Sequence, residues 1–254
     1  MRAFVGHPAY FFIVLLVLFI AAVAFGEFIL RPVAPLPDDQ RDSFNVVQTA
    51  IFTLLALVIG FSLSMAVSRY DQRKNLEEEE ANAIGTEYAR SELADASVKV
   101  QIRDALVRYT RLRLEDYQTR KSQELVRIGH DTAALQSQLW ELATQVGRDK
   151  PTPIGATIVT GMNDVLNSQD YSEAARINRI PTGVWFLLIL IGLFGCVAQG
   201  YGAKGKGRKA LLVIILPMTL ALSLALIADI DSPRAGIIRV QPQNLTRLLQ
   251  SLQK

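Results

Sequence analysis

The sequence predicts an all-α membrane protein: four transmembrane helices in two hairpins, with a helical extramembrane domain inserted between the hairpins. Two observations predict it. Apolar residues gather in four blocks, each near the roughly 20 residues that cross a hydrocarbon core at helical rise. Between the second and third blocks lies a long polar stretch with helical periodicity. It has no sustained alternation of β-branched residues, so strands are not expected there. Half of the 254 residues are hydrophobic, an ordinary fraction, so their segregation carries the inference.

The first block spans about residues 9–29 and holds no charge until Glu27; the second spans about 46–67 and holds none. The third spans about 183–201, with Trp185 near its start and Tyr201 at its end. Such amphipathic rings suit the two membrane interfaces. The fourth spans about 210–228, after Arg208 and Lys209 and before Asp229. The division expected is therefore a hairpin over 1–68, an extramembrane domain over 69–180, a second hairpin over 181–229 and a tail over 230–254. Arg2 and the run Ala22-Val23-Ala24 give the first block some look of a signal peptide. Its apolar run is longer than a usual signal core, so it is read as a retained span.

Pro32, Pro35 and Pro37, with Asp38, Asp39 and Asp42, predict a short irregular connection between the first two spans. The second span is expected to continue as a helix through Glu77 to Arg90, with Ala81, Ile84 and Tyr88 on one face. A further helix carries Val98, Ile102, Ala105, Leu106, Tyr109 and Leu112. Leu125, Ile128, Thr132, Leu135, Leu139, Leu142 and Val146 make a 3-4 spaced seam, as in a helix pair or bundle. Gly147 is expected to end that helix, and Pro151 and Pro153 to form the linker after it. A short helix with Ile154, Ile158, Met162 and Val165 follows, then a turn at Asn167 to Asp170 and a last helix toward Pro181. In the tail, Asn244 is expected to cap an amphipathic helix with Leu245, Leu248, Leu249 and Leu252 on one side.

Little in the chain suggests catalysis. His7 and His130 are the two histidines, and neither has a partner at metal-ligand spacing. No phosphate-binding loop, nucleophile elbow, paired-cysteine or zinc-protease motif occurs. Neither enzyme activity, a metal nor a cofactor is expected. Cys196 is the single cysteine and lies within the third span, which forbids an internal disulfide. The net charge of +3 is small, and no basic stripe with aromatic interleaving points to nucleic acid. The run Glu77 to Glu80 reads as a solvated helix face. Arg103, Arg108, Arg111 and Arg113 read as a salt-bridged surface, with Asp104–Arg108 and Arg111–Glu115 as (i, i+4) pairs. The middles of the spans lack ionisable residues, which argues against proton relays and voltage sensing.

One span carries a polar and small stripe. Asn45, Thr49, Thr53, Ala56, Gly60 and Ser64 share about a third of the helix circumference. Such a stripe serves close helix packing or borders an aqueous path in an oligomer. Gly192, Cys196 and Gly200 make a small-residue face on the third span, read as packing. Pro217 is expected to kink the fourth, with Thr219 and Ser223 near the freed backbone groups.

The run Gly60-Phe61-Ser62-Leu63-Ser64, with Ser68-Arg69-Tyr70 and Lys74, resembles the second span of bestrophins. Glu79-Glu80-Ala81-Asn82-Ala83-Ile84-Gly85, and Asp229-Ile230-Asp231-Ser232-Pro233-Arg234-Ala235-Gly236, resemble the bacterial bestrophin-like family. The resemblance implies a bestrophin-like fold and a homo-oligomeric, pentameric ion channel or channel-like pore passing inorganic ions. It implies a narrow neck on the second span, which falls here on Thr53, Leu57 and Phe61; Thr53 departs from an apolar neck. Arg69, Tyr70, Glu80, Asn82, Asp231 and Pro233 are the matching motif residues, with Asn45, Thr49, Gly60 and Ser64 beside the neck. The acidic cluster that binds calcium in animal bestrophins is missing. The resemblance further implies a bacterial inner membrane location, with a cytoplasmic extramembrane domain. Arg2, Arg69, Arg73, Lys74, Arg176 and Arg179 then lie inside, as positive-inside prefers. The short loop with Lys204, Lys206, Arg208 and Lys209 favours the opposite orientation. The cytoplasmic placement is adopted. The alternative function is a non-conducting membrane sensor or scaffold acting through its helical domain, where the seam from Leu125 to Val146 supports partner or self-association.

Overall fold

The structure, a computed structural model, describes residues 7–203 and 209–253. Arg2 and the basic loop residues Lys204, Lys206 and Arg208 lie outside the described residues. The described residues are all-helical, without a strand. The helices are α1 (Pro8–Phe25), α2 (Arg41–Arg90), α3 (Ala96–Gln118), α4 (Ser122–Asp149), α5 (Pro153–Ile177), α6 (Thr182–Gly202), α7 (Lys209–Asp231) and α8 (Gln243–Leu252). Four stretches are long and apolar enough to cross a membrane: Pro8–Val33, Asp38–Leu93, Pro153–Gly202 and Ile214–Asp231. The chain divides into two compact units, Met1–Arg69 with Arg179–Arg239, and Tyr70–Asn178 with Val240–Lys254.

In the first unit α1 packs on α6 and α7. Phe11, Leu15, Phe19, Ala22 and Val23 form the buried stripe of α1. Phe11 meets Trp185 edge-on, with ring centroids 5.5 Å apart. The small face of α6 is used for packing. Gly192 receives the ring of Phe19, and Gly200 lies on the backbone of α1, where an added Cβ would overlap the Val23 carbonyl. Gly26 makes the reciprocal approach to the Val197 carbonyl. There α1 widens into a π turn, Gly26–Leu30, before a final α turn at Arg31–Val33. Contacts of this kind replace the hydrophobic effect, which gives no net drive between helices in lipid.

The second unit has an apolar core. Ile84 of α2, Ile102 and Tyr109 of α3, Leu139 of α4 and Ile158 and Met162 of α5 are buried in it, with Leu245 of α8. Each such side chain contributes about 1.5–3 kcal/mol of transfer free energy. The seam of α4 supplies Leu135, Leu139, Leu142 and Val146 to this core, and its Ile128 and Thr132 are buried as well.

Three local expectations are corrected. No turn interrupts Asn167 to Asp170, because α5 is continuous. That stretch has neither Gly nor Pro, and Val165, Ser168, Ser172 and Ala175 keep one buried face through it. The Ser168 hydroxyl bonds the Val165 carbonyl within the helix (2.7 Å). Helix α4 runs past Gly147 to Asp149, and Lys150 then leaves helical geometry (φ −127°, ψ 80°), as a residue before Pro must. Gly147 instead admits the Val159 side chain of α5. Asn244 is not the cap of α8 but lies in its first turn, after Pro242.

Candidate functional site

Helix α2 turns one face inward in the first unit. Leu55, Ser62 and Ala66 are buried, and they recur at helical spacing. The candidate stripe lies on the other side. Measured from Leu55 at 100° per residue, Asn45, Thr49, Thr53, Leu57, Gly60, Phe61 and Ser64 fall between roughly 80° and 240°. All seven are exposed in the chain; Leu57 is 53% and Phe61 65% exposed. The space over Gly60 is open, with nothing within 4 Å of an added Cβ. The Thr53 hydroxyl donates to the Thr49 carbonyl (2.9 Å). Its proton is thereby committed to the helix, while the oxygen remains an acceptor beside the methyl group. Ser62, by contrast, is buried and donates to the Val58 carbonyl (2.7 Å). Past the stripe, Arg69 reaches the Met65 sulfur (3.6 Å), and Tyr70 is half-buried.

In the second unit the acidic run splits by face. Glu78 and Glu79 are exposed, whereas Glu77 and Glu80 are buried, which corrects the solvated-face expectation. Residues three apart share a helix face, and this face meets other helices. The Glu80 carboxylate accepts from Arg113 Nε of α3, and from the Tyr117 and Ser172 hydroxyls at 3.4 Å each. Arg113 also contacts Asp116, which pairs with Arg176 of α5. The Arg176 guanidinium lies 4.2 Å from the Tyr117 ring centroid. Two arginines and two carboxylates thus balance inside the unit. Burial works against the Arg113 charge, but Glu80 outweighs it and the guanidinium pKa is raised. The Tyr117 phenol is pushed up by burial, with the Glu80 charge adding to it.

Arg113 is therefore not part of a surface array. Arg108 does pair with Asp104 (3.0 Å), while Glu115 pairs with Arg127 of α4. Glu77 accepts from the backbone N–H groups of Asn244 (3.0 Å) and Leu245 (2.9 Å), and from the Asn244 amide (2.8 Å). It caps α8 from another helix. Asn82 is exposed and lines an open groove of about 650 Å³ with Thr86, Asn244 and Arg247.

The remaining motif residues hold the exit of α7. Asp229 accepts from the backbone N–H groups of Ile237 and Ile238, both at 2.7 Å. Asp231 accepts from the Ile180 N–H at 3.1 and 3.3 Å. Carboxylates at a helix C-terminus oppose the helix dipole, and these charge-assisted bonds offset that. Gly236 is required beside them, because a Cβ there would overlap the Asp229 carbonyl. Pro233 lies half-buried in the turn after Asp231.

The family model of the Bestrophin-like domain matches residues 14–245. The chain belongs to the bestrophin-like family. Solved structures similar to this bestrophin-like chain include two substituted variants of a bacterial bestrophin homolog from Klebsiella pneumoniae. One is 14% identical, with 97% of this chain and 98% of that chain covered and a TM-score of 0.65. The other is 13% identical, with 96% of each chain covered and a TM-score of 0.67. At such identity the likeness concerns the fold. No curated protein sequence matches significantly.

In this bestrophin-like protein the candidate stripe is an exposed surface of α2. Among the described residues, no three His, Cys, Asp or Glu side chains gather to hold a metal. The buried network has its acids and bases committed to one another. Nothing local in the sequence marks Arg113, Tyr117 and Ser172 as partners of Glu80, because the three stand 33 to 92 residues from it in the chain.

Proposed function

We propose that the protein is a homo-oligomeric ion channel of the bacterial inner membrane, with α2 lining the axis and the extramembrane domain in the cytoplasm. One observation carries this reading. The face of α2 opposite its packed side is exposed, and it holds Asn45, Thr49, Thr53 and Ser64 within a span of membrane length. Polar side chains facing lipid are disfavoured, whereas a water-filled path or a subunit contact suits them. A pore closed by several copies, five by family analogy, gives that face such surroundings. Thr53, Leu57 and Phe61 then form the neck. The sensor or scaffold alternative receives no support from the α4 seam, because Leu135, Leu139, Leu142 and Val146 are buried in the unit's own core.

Ion flux from liposomes holding the purified protein tests the reading, with chloride, sodium and potassium compared against empty liposomes. Flux above background that changes with Phe61→Ala supports it. A folded, oligomeric sample without flux in any of the three ions counts against it.

A further inference from the structure

Glu87 stands apart from the network of Glu80. It lies near the end of α2 and is fully buried, and among the described residues neither of its carboxyl oxygens has a hydrogen-bond partner. The charged groups that act on it are few. Arg90 of the same helix brings Nη1 to 3.8 Å from Oε2, and its own side chain is 33% exposed. Asp164 of α5 opposes ionisation. Directly across the seam is Gly161 of α5, where an added Cβ would overlap both Glu87 Oε2 and Arg90 Nη1. The glycine is a notch that lets the carboxyl rest against the α5 backbone, beside the apolar core of Ile84, Ile158 and Met162.

A carboxylate in such a place has lost its water without gaining donors, and that is costly. A carboxyl that keeps its proton avoids the cost. Burial is the larger influence here; it outweighs Arg90, and with Asp164 it pushes the Glu87 carboxyl up to about 8 from 4.5.

We propose that Glu87 is a proton-operated latch of the α2–α5 seam, closed while the carboxyl is protonated and loosened when the proton leaves to solvent. The direction follows from linkage. Between pH 4.5 and about 8 the folded chain retains a proton that the unfolded chain releases. The seam is therefore firmest at low pH, loses stability as pH rises through this window, and levels off above it. The latch does not depend on whether the protein conducts.

The test uses the full chain in lipid nanodiscs. Infrared spectra should show the carbonyl band of a protonated carboxyl at pH 6.5, fading with a midpoint near 8 and missing from Glu87→Gln. Hydrogen exchange at residues 153–177, corrected for intrinsic rate, should speed several-fold between pH 7 and 9 in the parent protein and stay level in Glu87→Gln. Glu87→Met repeats the test should the glutamine variant fail to fold. Absence of the band at pH 6.5 overturns the proposal. So does a variant that keeps the parent's pH dependence.

Discussion

Arg113 of α3 donates to Glu80 of α2 across 33 residues of sequence, and the two side chains are 3% and 0% exposed. Removing one partner leaves an uncompensated buried charge. Arg113→Met is therefore expected to cost about 3–5 kcal/mol, read as denaturant unfolding of the purified full chain in detergent. Adding Glu80→Met should recover part of the loss. Full recovery is not expected, because Asp116 also uses Arg113. A single variant as stable as the parent would show that the pair is not part of the folded core.

The two faces of the acidic run show how far the sequence could be read. Four consecutive glutamates, Glu77 to Glu80, look alike in a list of residues. Helical geometry separates them only once the packing face is known. Apolar neighbours did mark that face, since Ala81 and Ile84 were legible as one side of the helix and are buried. What could not be read was the partner of each acid. Asn244 lies 167 residues from Glu77, and Ser172 lies 92 from Glu80. No local period encodes pairings at such distance. The spans were legible for the opposite reason: lipid imposes length and hydropathy on each segment by itself. The α2 stripe was visible by its small and hydroxyl residues, but its exposure depended on where Leu55, Ser62 and Ala66 packed.

Glu77→Ala should release α8 without unfolding the rest of the unit. The variant removes the acceptor for two backbone N–H groups in the first turn of α8 and for the Asn244 amide. Loss of a helix cap costs about 0.5–2 kcal/mol, and the capped helix is only 10 residues long. Hydrogen exchange should accelerate over 243–252 and change little in α3 and α4. Unchanged protection of α8 would mean that Leu245 alone anchors it.

Gly200→Ala is expected to destabilise the first unit. The new Cβ would meet backbone, the Val23 carbonyl and the Glu27 nitrogen, rather than a side chain that turns away. Helices α1 and α6 must then part, at a cost of about 1–3 kcal/mol. Gly183→Ala in the same helix is the control, since nothing lies within 4 Å of its added Cβ. Thermal unfolding in detergent should fall for the first variant and hold or rise for the second. Equal behaviour of the two would remove the close α1–α6 approach as a source of stability.

Thr53 and Phe61 should move ion flux in opposite directions if α2 lines a pore. Phe61 is 65% exposed and is the bulkiest of the three proposed neck side chains, so Phe61→Ala widens the path and should raise conductance. Thr53→Val keeps the volume but removes an oxygen whose lone pairs face outward, while its donated bond to Thr49 has no counterpart in valine. A hydrophobic constriction gates by dewetting, so this variant should lower conductance. Single-channel recording in planar bilayers separates the two effects from changes in protein amount. Conductance that responds to neither variant would move the neck away from this face of α2.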